Sequence, residues 1–257
     1  MIGFCPLASG SRGNSIFFGT KKTKLLVDAG ISGRATKTRL AELGIDVEEI
    51  DAILITHEHT DHIRGLVVLA LKMKIPIFCN SDTAAGIVAF LGVTPQFKLF
   101  HTGETFQYRD LQIDPFSVQH DAIDPVAFTI DCEEAKVGFC ADLGYTTTLV
   151  ANKLMQCDYL YLEANHDPNM VYACSRPMIY KQRVLGRSGH LSNEECGQLL
   201  SQVVNDGLKH VYLAHLSGEC NHPQRALECV GSFLKQRERA PTLSIAYQDR
   251  VSAPSFF

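Results

Sequence analysis

The six residues His57-Glu58-His59-Thr60-Asp61-His62 directly follow the apolar run Ala52-Ile-Leu-Ile-Thr56. A short β-branched run of this kind, bounded by polar residues, reads as a strand. A strand end fixes the backbone in space. Three imidazoles and the Asp61 carboxylate within six residues supply the nitrogen and oxygen ligands that zinc or manganese takes. Two histidines in a loop are ordinarily a solvated surface feature, whereas four potential ligands in this spacing point to a metal site.

A site built from this loop alone would be incomplete, so further ligands are expected at other strand ends that converge on the same rim. Three candidates meet that requirement. His120 ends the run Leu111 to Gln119, Asp142 follows Val137 to Ala141 within Phe139-Cys-Ala-Asp-Leu-Gly144, and His215 follows His210 to Ala214.

Outward from these motifs, strands are expected at Ile2 to Ala8, Ser15 to Gly19, Lys24 to Asp28, Ile75 to Cys79, Val126 to Cys132, Lys136 to Ala141, Tyr159 to Glu163 and Leu243 to Ala246. Helical patterns alternate with them. In the first half they cover Arg34 to Leu43, ended by Gly44; Arg64 to Met73; and Asp82 to Leu91, with Ser81 placed to cap and Gly92 to terminate. In the second half they fall near Pro177 to Leu185, Asn193 to Val204 and Pro223 to Arg237, and Ser192 with Glu195 forms a capping box. There is no repeat, low-complexity tract or long linker, so residues 1–257 are expected to form a single domain with a peripheral tail after about residue 248.

Composition bounds the function. With 46% hydrophobic residues in 257, the chain can bury a large core. Nine cysteines without a CxxC pair fit a reducing compartment better than a disulfide framework. No 18-residue apolar run appears, and Met1 to Asn14 lacks the basic stretch and apolar core of an export signal. No membrane partner is expected, and the cytoplasm is the default location. A net charge of −4 gives no global attraction to a polyanion, so any such substrate must be held by a local patch or by bound metal.

The HEHTDH motif, with its downstream histidine, strand-end aspartate and late histidine, resembles the five-motif signature of the metallo-β-lactamase superfamily and covers residues 1 to about 247. The resemblance implies an α/β fold, a four-layer αββα sandwich with two divalent metal ions at the sheet edge. Zinc or manganese is expected, with iron as a further option. By that resemblance one ion is held by His57, His59 and His120, the other by Asp61, His62 and His215, and Asp142 bridges them. Such an ion pair acidifies a bound water and stabilises developing negative charge, while Asp61 orients the water. Asp28, in Leu25-Leu-Val-Asp-Ala-Gly30, resembles the first motif, which supports the ligands from beneath.

Further segments resemble one branch of the superfamily, the YycJ-like (WalJ-like) proteins related to nucleases and phosphodiesterases. They are Ala8 to Ser15, His120 to Phe128, Glu163-Ala-Asn-His-Asp167, Gly189-His-Leu-Ser-Asn193 and Leu213-Ala-His-Leu-Ser217. One position departs from the branch pattern, because Cys220 stands where a polar residue is common. A phosphate substrate would find cations in Arg176 to Arg187, which carries Arg176, Lys181, Arg183 and Arg187 and no acidic residue. His190, just before a capped helix, is a candidate to protonate a leaving group. His166 is a candidate substrate contact, and Ser11, Arg12 and Asn14 in the Gly/Ser turn offer donors to an anion.

Together these readings favour a dinuclear metal-dependent phosphodiesterase or nuclease, with nucleic acid as substrate, DNA ahead of RNA, and 5′ to 3′ exonuclease polarity implied by the branch. The same ligands on a carbonyl would instead make a thioesterase, lactonase or glyoxalase II-like enzyme, which fold and metals cannot separate. True β-lactamase action is disfavoured by an aspartate at position 142, and a flavin-linked oxygen reductase by His59 and the lack of a flavodoxin domain. A scaffold that had lost catalysis would be expected to have lost ligands, and all seven are present.

Overall fold

A computed structural model describes every residue except 236 and 238. In chain order the strands are β1 (Gly3–Ala8), β2 (Ser15–Gly19), β3 (Lys24–Val27), β4 (Ala52–Leu54), β5 (Ile77–Cys79), β6 (Phe97–Leu99), β7 (Phe106–Tyr108), β8 (Leu111–Ser117), β9 (Val126–Asp131), β10 (Lys136–Cys140), β11 (Tyr159–Glu163), β12 (His210–Ala214), β13 (Thr242–Ile245) and β14 (Ser255–Phe256). They form two sheets, ordered β14-β1-β2-β3-β4-β5-β6 and β13-β12-β11-β10-β9-β8-β7. From β3 to β6 the first sheet is parallel, as is the second from β10 to β13. Parallel strands covered on both faces read as continuous apolar runs rather than alternating ones. That is why His210-Val-Tyr-Leu-Ala214 and Ala52-Ile-Leu54 carry so little polar content.

The sheets pack face to face through one apolar layer. Phe4, Phe18, Leu25 and Leu54 of the first sheet meet Ile113, Phe128, Phe139 and Tyr212 of the second. Phe4 stands edge-on to Phe139 at 5.6 Å and to Tyr212 at 5.2 Å between ring centroids, an arrangement aromatic quadrupoles favour. The outer face of the first sheet is covered by helices Gly33–Glu42 and Ser81–Leu91, with Leu40, Leu66 and Ile87 buried against Leu26 and Ile53. The outer face of the second is covered by helices Thr148–Leu154, Asn193–Val203 and Pro223–Ser232. The architecture is therefore the four-layer αββα sandwich.

Several local expectations are corrected. The helix over Arg64 to Met73 is instead two single turns, Thr60–Ile63 and Leu66–Leu69. Gly65 between them donates its N–H to the Ala29 carbonyl at 2.7 Å, tying the segment to the chain beyond β3. The cap of Ser81–Leu91 is Asn80, whose side chain accepts from Thr83 N, rather than Ser81. The last helix stops at Ser232, short of the expected Arg237, a span that also crosses residue 236 outside the described residues. The tail after residue 248 is not peripheral: β14 pairs antiparallel with β1, and Phe257 packs on Phe18 and Tyr159. All nine cysteines are free, and six of them are buried. No helix among the described residues is long and apolar enough to cross a membrane.

Candidate metal centre

Strands β8, β10, β11 and β12 run in one direction, so their C-terminal ends deliver His120, Asp142, Glu163 and His215 to one edge of the second sheet. The C-terminal ends of β3 and β4 deliver Asp28 and the His57 to His62 segment to the facing edge. The sandwich thus brings two half-sites together. Asp28, Asp142 and His215 have φ of 60°, 55° and 54°, in the left-handed region. Such backbone is costly for a residue with a Cβ, and here it turns each side chain out of its strand toward the shared cavity. Close backbone approach also requires glycine: a Cβ on Gly30 would sit 1.6 Å from the Asp61 carbonyl oxygen.

Each of the five histidines has one ring nitrogen anchored and the other turned inward. His62 Nδ1 donates to Asp28 at 2.8 Å, His120 Nδ1 to the Gly189 carbonyl at 3.0 Å, and His59 Nε2 to the Asp121 carbonyl at 3.2 Å. His57 Nδ1 pairs with Thr56 Oγ1 at 3.0 Å, and His215 Nδ1 lies 3.3 Å from Glu163 Oε1. Anchoring of this kind fixes ring orientation and leaves the second nitrogen as a ligand. Asp28 sits beneath the cluster, as its sequence context implied, and also accepts from Thr56 N at 2.9 Å.

The free nitrogens converge. His57, His59 and His120 can place ligand atoms within 4.8 Å of one another, and so can Asp61, His62 and His215. Asp142 joins both neighbourhoods, with Oδ2 2.8 Å from His62 Nε2 in one and Oδ1 3.9 Å from His120 Nε2 in the other. His215 Nε2 is buried without a hydrogen-bond partner, an arrangement that is costly in a protein interior and is relieved by a cation. The donor set of imidazole and carboxylate, without a thiolate, suits a divalent ion such as zinc or manganese.

Electrostatics divide the ligands into two kinds. Burial pushes His57 well below, and His120 below, the ordinary imidazole range, which keeps them neutral and able to ligate. For His62, burial opposes the charge but the carboxylates of Asp28 and Asp142 outweigh it and raise the ring well above normal. Burial likewise opposes ionisation of Asp142, yet the charges of His215 and His62 hold it well below the usual carboxylate range.

Glu163, fully buried, was quoted in the sequence only as part of a segment, and the structure gives it a central place. Its Oε1 lies 2.8 Å from His190 Nδ1, and its Oε2 accepts from the Leu143 amide at 2.6 Å. Burial opposes its charge, but His190 and further hydrogen bonds hold it down at about 2. In turn Glu163 and Asp142 overcome burial to raise His190 to about 9. The signal available in sequence was a lone acid ending an apolar strand.

The remaining candidates separate. Ser11, Arg183 and His190 line the cavity of about 230 Å³ that five of the seven candidate ligands also line, along with Tyr180 and Asn165. Arg12 does not, for it lies beside Arg39 and Gln248 on another part of the surface. Asn14 is buried rather than open to an anion: its Oδ1 accepts from Gly10 N at 2.7 Å and its Nδ2 lies 3.0 Å from His62 Nε2. The four cations of Arg176 to Arg187 do not form one free patch. Arg176 pairs with Glu219, Arg183 with Asp121 at 2.6 Å, and Lys181 donates to the Tyr172 carbonyl at 2.7 Å. Arg187 is exposed and stacks on Tyr145, 4.3 Å from the ring centroid. His166 is buried beside a second cavity. Cys220 packs with Val171 and Val184, which explains an apolar residue there.

Comparison with known proteins agrees with this architecture. A family model described as a beta-lactamase superfamily domain matches residues 23–216. The exodeoxyribonuclease YycJ of Bacillus anthracis is 35% identical over 236 residues, covering 91% of this chain and 89% of the relative. The exodeoxyribonuclease WalJ of Streptococcus pneumoniae serotype 2 is 39% identical over 219 residues, 84% of this chain and 81% of the relative. Among solved structures, the metallo-beta-lactamase fold protein YhfI from Bacillus subtilis superimposes with a TM-score of 0.74 at 17% identity over 98% of both chains, which speaks to the fold. Human tRNase Z, short form, does so at 0.66 and 15% identity over 99% of this chain and 100% of that one. The chain is a metal-dependent hydrolase of the metallo-β-lactamase superfamily, in the branch that contains YycJ and WalJ.

Proposed function

We propose that the chain is a dinuclear metal-dependent phosphodiesterase that degrades nucleic acid, with DNA favoured over RNA and the 5′ end as its entry point. The observation that carries this reading is that one cavity is lined by His59, Asp61, His120, Asp142 and His215 together with His190 and Arg183. The names of the YycJ and WalJ relatives, both exodeoxyribonucleases, support the choice of polymer.

In this reading His57, His59 and His120 hold one ion, Asp61, His62 and His215 the other, and Asp142 lies between them. Divalent ions held there would acidify a water and offset negative charge on the phosphoryl oxygens. Asp61, with its carboxylate 3.7 Å from His62 Nε2 and 3.8 Å from His215 Nε2, orients the attacking water and receives its proton. As the new oxygen–phosphorus bond forms, the bond to the departing sugar oxygen breaks, and that oxygen takes a proton from His190. Glu163 keeps the His190 ring oriented and charged for this transfer, the role a buried carboxylate commonly has beside an acid–base histidine. Arg183 exchanges Asp121 for a phosphate oxygen when substrate enters.

The test is hydrolysis by metal-stripped protein reloaded with Mn²⁺ or Zn²⁺, on 5′-phosphorylated single- and double-stranded DNA, RNA and bis-p-nitrophenyl phosphate. Metal-restored cleavage that Asp142→Ala lacks is the expected result. Inert phosphodiesters beside a cleaved thioester or lactone would move the activity to the carbonyl class.

A further inference from the structure

A second cavity of about 450 Å³, within the range of small-ligand sites, also has His190 in its lining. His190 lines both cavities, so an occupant of the second would lie next to the proposed leaving group. We propose that this second cavity is a nucleobase pocket that prefers guanine at the nucleotide adjoining the scissile phosphate. The inference rests on the nucleic-acid reading above.

Three observations give the chemistry. His166 is only 1% exposed and lines the cavity, yet its Nδ1 is buried without a hydrogen-bond partner. Native structures rarely leave such an atom unpaired unless something else meets it. Tyr172 is 66% exposed at the rim, with Pro168 and Leu185 also lining the cavity, and together they offer a stacking face for a flat heterocycle. Glu194 and Glu195 also line the cavity, while no lysine or arginine does among the described residues.

The two carboxylates decide the class of ligand. They disfavour a phosphate, even though the helix Asn193–Val203 begins here and its N-terminus would otherwise attract one. A carboxylate instead accepts from paired N–H groups. Guanine alone of the DNA bases presents two adjacent donors, N1–H and the N2 amino group, on its Watson–Crick edge; adenine and cytosine set an acceptor beside the amine, and thymine flanks one donor with carbonyls. Glu195 is already committed, its Oε2 accepting from Ser192 N at 2.9 Å and from Ser192 Oγ at 2.7 Å. Glu194 is therefore the carboxylate assigned to the base, with Gln198 and His166 available to its acceptor atoms.

Calorimetric titration of guanosine and of thymidine into the metal-loaded protein tests this, with Glu194→Ala and Tyr172→Ala alongside and thermal melting to check that each variant is folded. Wild type should bind guanosine roughly tenfold more tightly than thymidine, the discrimination expected of one good paired contact. Glu194→Ala should erase the difference, and Tyr172→Ala should weaken both nucleosides by roughly tenfold through lost stacking. Equal affinities, no saturable binding, or a preference that survives Glu194→Ala would overturn the pocket. Because nucleoside binding requires no cleavage, failure of the phosphodiesterase reading would show separately, as inert bis-p-nitrophenyl phosphate beside intact guanosine binding.

Discussion

At the scale of single residues, each candidate ligand is held from behind. Asp28 is the clearest case: a strand-end carboxylate that touches His62 at 2.8 Å and Thr56 at 2.9 Å. Asp28→Asn keeps the shape and removes the charge that fixes the His62 ring, so metal affinity should fall by about 10- to 100-fold, as for other groups that orient a ligand. Competition with a fluorescent chelator measures this, and unchanged affinity would reduce Asp28 to a turn residue. Arg183 and Arg187 make the corresponding case for substrate. Arg183 is exposed and its ion pair with Asp121 is of the kind worth little in water, so it is free to exchange partners. If nucleic acid is the substrate, removing both arginines should weaken binding and reduce the slope of log affinity against log salt by about two, one for each cation lost. An unaltered slope would return them to an ordinary solvated face.

At the scale of elements, the strands and helices long enough to show a period were legible in the sequence. The strand ends whose His and Asp side chains converge were legible too, because a lone His or Asp after an apolar run is unusual. What escaped was short or set by tertiary contact. The strands Phe97–Leu99 and Phe106–Tyr108 have three residues each, too few for a pattern. The role of Glu163 depends on His190, 27 residues away, and Asn14 was misread because its burial against His62 is not visible locally. The tail was misread for the same reason: Ser255 and Phe256 pair with the first strand, Gly3–Ala8, 247 or more residues earlier in the chain. Phe257 then closes the apolar layer, its ring 5.2 Å from Tyr159 and 5.7 Å from Phe18. Phe257 is partly buried, so Phe257→Ala should cost about 1–2 kcal/mol, a share of the value for fully burying one large apolar side chain. Urea unfolding reads the change, and a midpoint equal to wild type would make the tail peripheral after all.

At the scale of the whole molecule, the candidate metal cluster sits where two sheets meet, sheets held elsewhere by an apolar layer and by cross-sheet hydrogen bonds such as Tyr159 Oη to the Phe256 carbonyl at 3.0 Å. His57, His59, Asp61 and His62 follow the fourth strand, Ala52–Leu54, of the first sheet, while His120, Asp142 and His215 follow strands of the second. A cation held by both sets would tie the halves at one edge and give the crowded, buried imidazoles a shared ligand in place of their mutual repulsion. Folding and metal binding must then be linked, because the unfolded chain presents no such arrangement of ligands. A free ion at 100 times its dissociation constant contributes about 2.7 kcal/mol to stability. For a chain of this size that corresponds to a rise of roughly 5–10 °C in melting temperature. Stripped protein should melt lower by that margin, recover on addition of Zn²⁺ or Mn²⁺, and fail to recover in Asp142→Ala, where the group shared by both half-sites is gone. Scanning calorimetry at several metal concentrations decides it: a melting temperature indifferent to metal would mean that the sheets hold the ligands in place unaided and the ions add chemistry without adding stability.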